Sequence, residues 1–182
     1  MSDYSLPLVT KGLIALNVII HAVVFLTSTN LGVLAISGQQ VWNKGEYYRI
    51  VTSAFTHSGI MHILMNMSSL MQLGASLEVQ FGSLPFLFLT IWAVFLVGGM
   101  YVFIAFALTS IASDSLSSAG SMQTSSVGFS GILFMFAIID AYHTRAEHQS
   151  LFGMCNVPAR MYPFILLFAI QFLLPGISFM GH

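Results

Sequence analysis

Long uncharged stretches alternate with short polar breaks along this chain. Residues 12–43, 50–77, 79–113, 115–139 and 161–182 contain no Asp, Glu, Lys or Arg. A helix needs about 20 mainly apolar residues to cross the hydrocarbon core, and each stretch is long enough. The alternation of a barrel strand is absent, so helices are the form that satisfies the backbone in lipid. The pattern predicts spans within Leu13–Leu34 and over about Ile60–Leu77, Leu84–Ile111, Gly128–Tyr142 and Met161–Leu174, the last ended by Pro175-Gly176. The first is no signal peptide, because its apolar run is long and no small-x-small site follows it. A polar loop with Trp42, Tyr47 and Tyr48, suited to a membrane interface, precedes the second span. A loop rich in Ser and Gly covers residues 112–127, and residues 143–160 form a second polar segment. No internal repeat or linker divides the chain, so residues 1–182 read as a single domain, an all-α membrane bundle. The positive-inside rule votes narrowly for a cytosolic N-terminus, with Lys11, Arg145 and Arg160 inside against Lys44 and Arg49.

Composition removes the competing classes. The chain is 57% hydrophobic and 6% charged, too few charges to cover a soluble surface of this size. Its 16 Phe and low charge exclude disorder. A net charge of −1 without a basic cluster argues against nucleic-acid binding. A disulfide scaffold is impossible with Cys155 alone.

Uncharged polar side chains inside the spans are the anomaly that remains, and such residues are functional candidates by default. His62 and Asn66 stand at i, i+4 on one helix face. Ser130 lies in Gly128-Phe129-Ser130-Gly131 at the start of the fourth span, and His182 follows Gly181. Counting spans brings all four to one depth, because the chain passes inward and back outward between Ser130 and His182. A serine hydroxyl becomes a useful nucleophile when a base takes its proton, and a histidine titrating near neutrality is that base. No acid is expected at that depth, which points to a Ser–His dyad. Glycines beside Ser130 allow close backbone approach, and the helix start, with His62 and Asn66, offers donors for an oxyanion. His62 as a zinc ligand lacks any Cys or carboxylate partner, so neither metal nor cofactor is expected. The remaining polar groups read as structural. His21 is a lone packing residue, Glu78 caps the end of the second span on loop backbone, and Arg49 and Glu46 tie down the first loop. Asp140 is ten residues past Ser130, about 15 Å along a helix and too far to orient His182. Met61, Met65, Met67 and Met71 fill core gaps.

These residues resemble the motifs of the rhomboid intramembrane serine proteases. His62-Ile63-Leu64-Met65-Asn66 is similar to the family's H-x-x-x-N, Gly128-Phe129-Ser130-Gly131 to its G-x-S-G, and Gly181-His182 to its sixth-helix G-H. Leu77-Glu78-Val79-Gln80-Phe81-Gly82 resembles L-E-x-x-x-G, and Glu46-Tyr47-Tyr48-Arg49 resembles the first-loop E-x-W-R with Tyr48 in place of Trp. The resemblance implies a rhomboid-like bundle of five spans and the start of a sixth, C-terminally incomplete at His182. It implies Ser130 as nucleophile, His182 as base and acid, and an oxyanion site of His62, Asn66 and the Gly128–Ser130 backbone. Substrates would be other membrane proteins, cut in or beside a transmembrane helix, with water reaching a hydrated cavity. Phe134 stands where some relatives carry Tyr beside the histidine. The wording around Ser130 is most similar to the endoplasmic-reticulum subgroup, implying a multi-pass protein of that or another endomembrane. A catalytically silent adaptor that binds transmembrane helices remains the alternative function; a transporter would show more intramembrane charge and repeat symmetry.

Overall fold

The structure is a computed structural model that describes residues 5–111, 122–143, 148–151, 155–158, 161 and 165. All of the fifth expected span except Met161 and Ile165 lies outside the described residues, as do Pro175-Gly176, His182 and most of the Ser- and Gly-rich segment. Five α-helices appear among the described residues: α1 (Leu8–Leu26), α2 (Arg49–Phe55), α3 (Ile60–Phe81), α4 (Ser83–Ile111) and α5 (Ser130–His143). Two of them, α1 and α4, are long and apolar enough to cross a membrane on their own.

Helix α1 starts and stops earlier than the hydropathy predicts. Pro7 precedes it, with a fixed φ of −58° and no N–H to lose. Lys11 does not bar the helix, because its side chain is exposed and carries its charge away from the core. The other end is set by Thr27-Ser28-Thr29-Asn30. Thr27 caps the helix and Ser28 turns the chain at a φ of +50°. Asn30 then accepts the Gly32 N–H at 2.8 Å to open a 3-10 turn over Leu31–Val33.

One face of α3 organises the bundle. Ile63, Asn66, Met67, Leu70, Gly74, Leu77 and Glu78 are buried at three- and four-residue steps. Helix α1 crosses it at Gly74, where an added Cβ would lie 2.9 Å from Leu70 and 3.2 Å from Thr10 Oγ1. Small residues at such crossings let membrane helices approach. Of the four α3 methionines only Met67 joins the core; Met61, Met65 and Met71 are exposed on the opposite face, among the apolar side chains lipid would cover. Gly82, at φ +89°, lets α3 end and α4 begin within one residue. Phe86 and Phe136 meet with ring centroids 5.3 Å apart, joining α4 to α5 in the core that contains Leu70 and Leu77.

Contrary to expectation, Glu78 does not cap its own helix on loop backbone; its backbone partners are at the start of another helix. Its carboxylate accepts from the Val9 and Thr10 N–H groups, the Thr10 hydroxyl and the Ser83 hydroxyl, at 2.6–2.9 Å. It therefore caps the start of α1, where two orphan donors and the positive helix end favour an anion. Asp140 on α5 accepts from Ser76 at 2.7 Å and Gln80 at 3.2 Å, tying α5 to α3.

Two short pairings were not legible as strands. β1 (Ile36–Ser37) pairs antiparallel with β2 (Ser125–Ser126), Ile36 opposite Ser126. In the polar segment after α5, β3 (His148–Leu151) pairs antiparallel with β4 (Cys155–Pro158).

Candidate active site

The first loop forms a rigid frame before any candidate residue is reached. Arg49, buried at the start of α2, pairs with Glu46 and donates to the Gly32 and Ala35 carbonyls at 2.7 and 2.8 Å. Thr52 donates to the Leu34 carbonyl at 2.9 Å. A guanidinium is the suitable hub, because it offers several donors in a fixed plane. This frame presents β1 to β2, which ends two residues before Gly128. Two further bonds hold that approach: Tyr101 Oη donates to the Thr124 carbonyl at 2.8 Å and the Gln39 N–H to the Met122 carbonyl at 2.8 Å.

The turn into α5 is then pinned residue by residue. The Gly128 N–H donates to the Ser53 carbonyl of α2 at 2.8 Å. Gly128 sits at φ +128°, a region that side chains rarely adopt. Phe129 is fully buried against Phe55 and Phe136, with centroids 5.6 and 6.5 Å away. Ser130, half-buried, opens α5; the Ile132 and Leu133 N–H groups bond the Phe129 carbonyl at 3.1 Å, which leaves the Ser130 and Gly131 N–H groups without an intrahelical acceptor.

Gly128 is also where two of the candidates meet. A Cβ built there would lie 2.7 Å from the His62 Cε1 and Nε2 and 3.6 Å from the Ser130 Oγ. The Ser130 hydroxyl and the Nε2 edge of His62 thus flank one point on the same face of the turn. Only glycine leaves that point open. The other edge of His62 is held by Ser58, whose Oγ is 3.1 Å from Nδ1. Asn66, on the same face one turn further along α3, donates from Nδ2 to the His62 carbonyl at 2.8 Å. An amide nitrogen has two hydrogens, so one remains for another acceptor. The Gly128 N–H, already given to Ser53, has none left, so what this residue offers is open space. His182 lies outside the described residues.

The family that the motifs resemble is shown by a domain-wide match: residues 44–182 fit the model of the Rhomboid domain. The chain belongs to the rhomboid family. It is 29% identical to Rhomboid-like protein 15 of Arabidopsis thaliana over 98% of this chain and 44% of that protein. It is 27% identical to human Rhomboid-related protein 4, over 81% and 45%. A 26% identity to the Arabidopsis Rhomboid-like protein 14, mitochondrial, covers 97% of this chain and 52% of that relative. The chain spans about half the length of the curated relatives it matches.

Two features of this rhomboid domain were not anticipated. His21 is not alone: its ring lies 6.5 Å from that of His57, which in turn lies 5.1 Å from that of His62. Burial first, then the neighbouring His62 and His21, push the His57 imidazole down to about 4, with the Phe55 carbonyl pulling weakly the other way. Second, a cavity of about 330 Å³ between α2, α4 and α5 reaches Gly128. Val94, Tyr101, Ile132 and Met135 contribute to its mainly apolar walls, and His62, Asn66 and Ser130 are not among its described lining residues. Ser53, Ser58 and His57 escaped the sequence reading because each acts through a backbone carbonyl, a hydroxyl on a ring nitrogen or a ring contact. A small polar residue one turn before the motif histidine was the one local signal, and it is weak.

Proposed function

We propose that this rhomboid domain is an intramembrane serine endopeptidase that cleaves other membrane proteins in or beside a transmembrane helix. The observation that carries the reading is the meeting of the Ser130 hydroxyl and the His62 ring over the open Gly128. In this mechanism His182 takes the Ser130 proton as Oγ attacks the substrate carbonyl. The carbonyl oxygen becomes an oxyanion held by His62, the remaining Asn66 hydrogen and the Ser130 N–H. Collapse of the intermediate breaks the C–N bond, and His182 passes the proton to the leaving amine. Water, deprotonated by His182, then hydrolyses the acyl-serine. Residence in the endoplasmic reticulum or another endomembrane belongs to the same proposal, supported by the wording of the Ser130 motif.

Cleavage of a transmembrane reporter by the full-length protein, with Ser130→Ala beside it, tests the reading. Cleavage by the native protein and none by the variant is expected. Equal products from both would remove Ser130 from the chemistry. A folded native protein that neither cleaves nor takes up a serine-directed phosphonate would instead be an adaptor for transmembrane helices.

A further inference from the structure

His57 is 1% exposed, yet an imidazole is a costly way to fill an interior site. Neither of its ring nitrogens makes a hydrogen bond of good geometry among the described residues, and the same is true of His21 Nδ1. An apolar residue would fill the volume at lower cost if volume were all that mattered. What the ring touches is informative. It stands edge-on to His62 at 5.1 Å and 73°, and His21 of α1 stands edge-on behind it at 6.5 Å and 81°. We propose that His57, backed by His21, is a positioning residue that fixes the plane of the His62 ring at the oxyanion position. The proposal rests on the protease reading above.

Three supports then determine where His62 points. Ser58 holds Nδ1, Gly128 leaves room for the Nε2 edge, and the His57 ring limits rotation about the remaining axis. The connection that carries His57 and Ser58 runs from α2 to α3, and α2 also holds Gly128 through the Ser53 carbonyl. One short segment therefore sets both the donor and the turn of the nucleophile. Among the described residues the titratable groups facing His57 are His21 from α1 and His62 from α3; the connection itself presents the Ser58 hydroxyl and the Phe55 carbonyl. A misplacement of about 1 Å in such a site costs on the order of 10²-fold in rate.

The test uses the full-length protein in bilayer vesicles, with active sites counted by phosphonate labelling. His57→Ala lowers kcat per active site about 10–100-fold while KM changes little. His57→Phe, which keeps a flat ring against His62, recovers most of that loss. His21→Ala, one ring removed, gives the same signature at smaller amplitude and stands in if His57→Ala does not fold. An unchanged kcat per active site, or a Phe variant no better than Ala, overturns the proposal. A readout independent of cleavage comes from nitrogen-15 histidine NMR. The His62 ring resonances, assigned by their loss in His62→Gln, move in His57→Ala and return in His57→Phe. If they stay fixed, the proposal fails even for an active enzyme. If they move and the native protein cuts nothing, the contact stands and the protease reading is what fails.

Discussion

Helix α3 carries a buried polar cluster at each end, and the two are built on opposite terms. At the Phe81 end, Glu78 takes four hydrogen bonds and Asp140 takes two from Ser76 and Gln80. At the Ile60 end, His57 and His21 Nδ1 lack well-formed bonds among the described residues, and Gly128, at a φ that favours glycine, leaves open space beside His62. Both clusters sit where desolvation is expensive. A carboxylate tolerates burial only when its oxygens are satisfied, so the first cluster is what a stable fold requires. The second keeps polar edges and open space that no packing need explains. Groups left in that condition fit the active site proposed at this end. Substitutions should therefore separate the two ends, the Ile60 end moving activity and the Phe81 end moving stability.

The largest effect should come from Ser130. Ser130→Ala lowers kcat by on the order of 10⁶-fold if the hydroxyl is the nucleophile, while thermal unfolding of the protein stays where it was. Asn66→Ala comes next, with a loss of about 10²–10³ in kcat, or about 2.7–4 kcal/mol of transition-state stabilisation, and a KM nearly unchanged. A rise in KM at constant kcat would instead make Asn66 a substrate-binding residue. At the other end, Glu78→Ala leaves the first-turn donors of α1 without an acceptor. It should cost about 2–3 kcal/mol of stability, read by denaturant or thermal unfolding in detergent, with kcat per folded active site preserved. If Glu78→Ala depressed kcat per active site as strongly as Asn66→Ala, the two ends would not be separable.

Much of this contrast was legible beforehand, and the part that was not has a physical cause. Helices α3, α4 and α5 fall close to the expected spans, because charge is too costly in lipid to interrupt them casually. Ser130, His62 and Asn66 stand out for the same reason: few polar residues occur there, so each is conspicuous. Hydropathy says nothing about which apolar face looks inward, since lipid and protein interior are equally apolar. Met61, Met65 and Met71 were misassigned on that account. Helix α2 was missed because seven residues between a polar loop and a span make no periodic signal. The partners of Glu78 lie up to 69 residues away, and His21 meets His57 through the packing of α1. Such contacts depend on tertiary structure alone, so a polar residue can be recognised as functional or structural only after its neighbours are known.

The smallest effect is a pH dependence of stability that belongs to the Ile60 end alone. His57 titrates at about 4 in the folded chain against 6.5 for an ordinary histidine. A group whose folded value is depressed takes up its proton first in the unfolded state. Stability is therefore complete above about pH 6.5, falls as the pH drops from there towards 4, and loses nothing more from this group below that. Between pH 7 and pH 5 the loss is about 2 kcal/mol, seen as a lower unfolding midpoint. His57→Phe removes the ionisable group and should flatten this slope, whereas Glu78→Ala, at the far end of α3, should lower the curve without changing its shape over that interval. A slope that survives His57→Phe would mean that the buried histidine is not the group being charged, and the electrostatic side of the contrast between the two ends would be lost.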